Sequence, residues 1–171
     1  VSKTELLRQP TTMKKYIFPI LLSAVIFSAC EKDDPVIPNE EELITTLIYR
    51  LEPLGAGDIV ELKFQDLDGD GGNPPVITTS PLKANTTYQG SITLLNELED
   101  PADNITEEVE AEGEEHQLFY VLTTLKTEIT YMDQDLNNHP IGLITSLATG
   151  TSETGMLTIT LRHEPKKPNN G

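Results

Sequence analysis

From residue 43 onward apolar and polar residues alternate, and this alternation constrains the fold more than any other feature of the chain. A side-chain period of two belongs to a β-strand with one packed and one wet face, whereas a helix repeats every ~3.6 residues. Leu43, Leu47, Tyr49 and Leu51 share one face, with Ile44, Thr46, Ile48 and Arg50 opposite. After a turn at Gly55-Ala56-Gly57-Asp58, Val60, Leu62 and Phe64 face one way and Glu61, Lys63 and Gln65 the other. Further strands are predicted from Tyr88 through Ile92 to Leu94, over residues 118–122, around Leu125, Ile129 and Tyr131, and over residues 141–147. The last has Leu157, Ile159 and Leu161 inward and Thr158, Thr160 and Arg162 outward. Seven short, Thr-rich strands punctuated by Gly, Pro and Asn predict an all-β fold over residues 43–171: an antiparallel β-sandwich, immunoglobulin-like or transthyretin-like. With one Cys and no Trp, the Cys…Trp…Cys signature of antibody domains is excluded. One stretch breaks the pattern. Residues 104–116 place Ile105 and Val109 at i,i+4 among many Glu, as a frayed helix or an ordered loop, and Gly113 counts against the helix.

The N-terminal segment follows different rules. Met13-Lys14-Lys15 precedes a nearly uncharged run from Tyr16 to Ala29. That run is too short to cross a bilayer as a helix, which takes ~20 residues. A basic start, a short apolar core and small residues at its end predict a secretory signal helix over residues 13–29, with Met13 as initiator and residues 1–12 as an extension outside it. The junction Phe27-Ser28-Ala29-Cys30 resembles the lipobox of bacterial lipoproteins, with Phe27 in place of the usual Leu. That resemblance implies that the Cys30 thiol carries a diacyl lipid and becomes the mature N-terminus. Each buried methylene adds ~0.8 kcal/mol, so several chains on one residue anchor a protein without a membrane-spanning helix. Glu31-Lys32-Asp33-Asp34 is similar to the export signal of surface lipoproteins in Bacteroidota; read without that likeness, it is a polar tether. Pro35, Pro38 and Glu40 to Glu42 complete an acidic linker over residues 30–42.

Charge narrows the partners. Lys and Arg number 12 against 28 Asp and Glu, a formal net charge of −16. Residues 1–29 hold 4 basic and 1 acidic residue, so the remainder carries 8 against 27, or −19. Nucleic acid and anionic membrane surfaces both require clustered Lys and Arg, and this chain lacks them. A single cysteine excludes an internal disulfide and CxxC-type sites.

Two loops carry spaced carboxylates. Asp66, Asp68 and Asp70 alternate before Gly71, like the first half of an EF-hand, but positions 9 and 12 are Pro74 and Ile77. Asp133, Asp135 and Asn137 repeat the spacing, again without Glu at position 12, which is Ile144. Both loops are candidate Ca²⁺ sites, and both are equally ordinary Asp-rich turns. His163 is in phase with Leu157, Ile159 and Leu161, and His116 with Leu118, Tyr120 and Leu122. These strand-end imidazoles are flanked by Glu164 and Glu115. Meeting at one rim, they would bind Zn²⁺ or Fe with a carboxylate, or else stay hydrogen-bonded at the core edge. His139, in Asn138-His139-Pro140, reads as a turn residue. GxSxG, HExxH, glycine-rich phosphate and Rossmann motifs are absent, and pairs such as Glu107-Glu108 read as a solvated face, so no enzymatic activity is expected.

The stretch from about residue 40 onward resembles a family of small, uncharacterised outer-membrane lipoproteins of Bacteroidota. The residues that carry the likeness are Asp66-Leu67-Asp68-Gly69-Asp70-Gly71, Ala84-Asn85-Thr86-Thr87-Tyr88, Asn96 to Pro101, Glu114-Glu115-His116-Gln117 and Leu161-Arg162-His163-Glu164-Pro165. The resemblance implies a β-rich fold, association with the outer membrane and one further strand after Asn169-Asn170-Gly171. The expectation is a non-enzymatic, lipid-anchored outer-membrane protein at the cell surface, acting as a binding or accessory module beside an outer-membrane protein. The alternative is a lipoprotein that acquires Zn²⁺ or Fe, or binds Ca²⁺, for an outer-membrane transporter.

Overall fold

Strands β1 (Thr46–Pro53), β2 (Val60–Gln65), β3 (Val76–Thr78) and β4 (Thr87–Leu95) precede helix α1 (Ile105–Ala111) in the computed structural model. Strands β5 (His116–Leu122), β6 (Glu128–Tyr131), β7 (Ile144–Ala148) and β8 (Leu157–His163) follow it. The structure describes residues 42–69, 71–124 and 126–168. The expected signal helix, Cys30 and the linker up to residue 41 lie outside these, as do Asp70, Leu125 and residues 169–171.

The fold is all-β and antiparallel. Six strands form one sheet in the order β3-β2-β1-β4-β7-β6, and β5 and β8 form a second. Between them lies the core, with Tyr49 and Leu51 from β1, Tyr88, Ile92 and Leu94 from β4, Leu147 from β7 and Leu118 from β5. Leu157, Ile159 and Leu161 of β8 pack against that cluster while Thr158, Thr160 and Arg162 face outward, as the alternation predicts. Tyr49 of the larger sheet meets Tyr120 of the smaller at a centroid distance of 5.7 Å.

Two departures from the sequence expectation have physical causes, and the open choice over residues 104–116 falls to a helix. Strand β3 is an eighth strand that alternation does not reveal, because it has three exposed residues directly after Pro74-Pro75. It pairs only with β2, the edge position that a neighbouring proline permits. The strand expected over 141–147 begins only at Ile144, because Gly142 has φ +96 and breaks the extended run. A Cβ there would stand 2.9 Å from the Leu118 carbonyl oxygen, so the close approach of β5 requires glycine. Residues 105–111 are helical, with Ile105 and Val109 both buried against the core. Thr106 explains why a helix fits here: its Oγ1 accepts from Leu94 N (2.8 Å) and donates to Leu94 O (3.2 Å), standing in for the strand neighbour that β4 lacks beyond β7.

Candidate metal centre

The β5–β8 register places His116 directly opposite His163. Their rings stack at a centroid distance of 4.9 Å and an interplanar angle of 13°. The in-phase histidines therefore meet at one rim, as their strand positions predict. Parallel rings, however, aim their in-plane nitrogens alongside one another rather than at a common point. Their ligand atoms accordingly fall into two separate groups: Glu42, Glu112 and His116 in one, and Glu115, His163 and Glu164 in the other, each within 4.8 Å.

The inner group is built by local chain geometry. A turn closes α1, with Glu115 N donating to Glu112 O (2.8 Å), and this returns Glu112 over the first residue of β5. His116 is fully buried, and its Nδ1 lies 3.1 Å from the Glu112 carbonyl oxygen. A carbonyl only accepts, so Nδ1 donates in this contact. Opposite Nε2 stands Glu42, with Oε1 2.8 Å from it. The two groups are in close contact, while His116 Nε2 has no hydrogen-bond partner. Glu112 Oε2 is likewise buried and unpartnered. Neither Glu42 nor Glu112 is signalled by sequence: one lies in an acidic linker, the other caps a Glu-rich helix some seventy residues later.

In the outer group, His163 Nε2 lies 3.8 Å from Glu115 Oε2, and Glu164 N donates to Glu115 O at 2.6 Å. Glu112 and Glu115 also line a cleft of about 540 Å³ together with Glu110, Glu114, Asp133 and Asp135. Six carboxylates around one concavity raise the local concentration of cations.

The Asp loops do different work. Asp66 Oδ1 accepts from Gly69 N (2.9 Å), and Asp68 Oδ2 accepts from Asn73 N (2.9 Å) and Asn73 Nδ2 (2.7 Å). These Asn73 bonds hold the Asp68 carboxyl below its ordinary value. Asp133 uses both oxygens, accepting from Gly142 N (2.8 Å) and Ile144 N (2.9 Å), and thereby fixes the start of β7. Asp135 Oδ1 accepts from Asn137 N and His139 N, both at 2.9 Å, and its Oδ2 pairs with Lys167 Nζ at 3.0 Å. Asn137 itself donates to Glu114 Oε1 (2.7 Å). In the second loop the carboxylate oxygens are thus committed to N–H donors and an ammonium, the arrangement of a turn. Among the described residues neither loop gathers three carboxylate or imidazole ligands around a point. His139 sits in that turn, half-buried, 3.9 Å from Asp135 Oδ2.

Compared with known proteins, the chain matches no family model, no curated protein and no solved structure.

Proposed function

We infer that this chain is an exported lipoprotein whose β-sandwich serves as a non-enzymatic binding or accessory module at the bacterial outer membrane, displayed on the cell surface. The observation that carries this reading is the lone Cys30, placed after Ser28-Ala29 at the end of a short apolar run and before an acidic linker. One thiol, with no second cysteine to pair with, suits a lipid attachment point. The likeness to small Bacteroidota lipoproteins and the Lys32-Asp33-Asp34 sequence support the same location. The commitment of Asp133 and Asp135 to backbone and lysine partners supports a scaffold role for those acids.

Globomycin, which blocks the lipoprotein signal peptidase, tests the anchor. The precursor retaining residues 13–29 accumulates under treatment; unchanged processing overturns the reading. Proteinase K added to intact cells removes a displayed domain, and full protection places the domain inside.

A further inference from the structure

The geometry points to a Zn²⁺-binding site formed by His116 Nε2 and the carboxylates of Glu42 and Glu112. The acidic residues alone would not suffice, since clustered Glu is ordinary in so acidic a chain. The deciding feature is the fully buried imidazole, whose Nε2 makes no hydrogen bond and faces two carboxylates. Buried polar atoms without hydrogen-bond partners carry a desolvation penalty, and a cation held between the imidazole nitrogen and the carboxylates removes it.

The chemistry of the donor set selects the cation. Imidazole with carboxylate suits a first-row transition metal, and three protein ligands leave one tetrahedral position for water, as in open zinc sites. Ca²⁺ takes about 6–8 oxygen ligands, which an imidazole and two carboxylates do not supply. Bonds of about 2.0–2.2 Å to zinc set neighbouring ligand atoms about 3.4 Å apart in a tetrahedron. The three ligand atoms here lie within 4.8 Å of one another, with Glu42 Oε1 and His116 Nε2 at 2.8 Å. The Glu42–His116 pair opens by about 0.6 Å and the remaining separations close by at most about 1.4 Å to reach that spacing, which side-chain rotations supply. The supporting contact is already in place: metal-bound histidines donate their other N–H to a carbonyl or carboxylate, and His116 Nδ1 meets the Glu112 carbonyl. The carboxylate-lined cleft, to which Glu112 contributes, supplies an attractive field for a cation.

The test is calorimetric titration of Zn²⁺ into the full chain, stripped of metal and carrying Cys30→Ser so that the thiol adds no ligand. One Zn²⁺ per chain is expected to bind. Glu112→Gln and Glu42→Gln, both nearly isosteric, are expected to weaken it by about 10–100-fold, while Glu61→Gln, exposed on β2, leaves it unchanged. His116→Gln is expected to abolish it, but because that residue is buried the two Glu variants decide the outcome, with circular dichroism confirming their fold. Absence of Zn²⁺ binding, or binding that both Glu variants leave intact, overturns the proposal. Loss of binding in Glu115→Gln alone would assign the ion to His163 instead and overturn it equally.

Discussion

His116 and His163 occupy the same rung of the β5–β8 ladder, and their rings lie parallel within 13° at 4.9 Å. Cross-strand neighbours on one face approach closely, and ring pairs contribute about 0.5–1.5 kcal/mol beyond the area they bury. A double-mutant cycle with His116→Ala and His163→Ala, followed by urea unfolding, is therefore expected to return a coupling energy in that range. Strict additivity would show that the stack contributes nothing.

This rung also marks how far the sequence could be read. Period-two alternation located both histidines, because a strand's phase fixes which side chains share a face. It located the inward Leu157, Ile159 and Leu161 for the same reason. Strand β3 escaped it, since three exposed residues after two prolines carry no alternation. Glu42 and Glu112 escaped it too. Their meeting depends on the turn after α1 and on where β1 enters the sheet, and neither leaves a local pattern. The spaced acids of the second loop were legible as a group, but sequence spacing does not distinguish a cation from backbone N–H groups as their partner.

Lys167 is held by such long-range geometry. Its side chain is 5% exposed, and its ammonium pairs with Asp135 Oδ2 at 3.0 Å and donates to the Gly113 carbonyl just past α1. Removing one partner of a buried pair leaves the other charge without compensation, at a typical loss of about 3–5 kcal/mol. Lys167→Met is expected to lower stability by that order in urea denaturation. A change below about 0.5 kcal/mol, the level of an ordinary surface substitution, contradicts the burial of this pair.

The same acid sets a pH dependence. Burial pushes the Asp135 carboxyl up, but the His139 N–H, the Lys167 side chain and the Asn137 N–H together outweigh it and hold the group below its ordinary value. A carboxyl depressed in the folded state stabilises the fold above its unfolded value of about 3.9, and that contribution disappears as pH falls through the lower folded value. Urea midpoints should therefore fall steeply below about pH 4, and Asp135→Asn should be less stable at neutral pH with a shallower acid limb. An unchanged acid slope in the variant contradicts the assignment.

Gly90 leaves room for the buried bond between Tyr49 Oη and Thr145 Oγ1, 2.7 Å long. A Cβ at Gly90 would stand 2.5 Å from both Thr145 Oγ1 and Tyr49 Cε2, and 2.6 Å from the Tyr49 hydroxyl. Overpacking of this kind costs about 1–3 kcal/mol, and leaving Thr145 unpaired by Tyr49→Phe costs a similar amount. Gly90→Ala is expected to destabilise by at least that much in urea. Combined with Tyr49→Phe it should cost less than the sum, because the hydroxyl that clashes is also the one removed.

The lipid on Cys30 is the central functional claim, and the mass of the mature protein tests it most directly. Extracted from membranes and measured intact, the chain is expected to begin at Cys30 and to carry the added mass of a diacylglyceryl group. A chain that keeps residues 13–29, or one that bears an unmodified Cys30 thiol, contradicts the account.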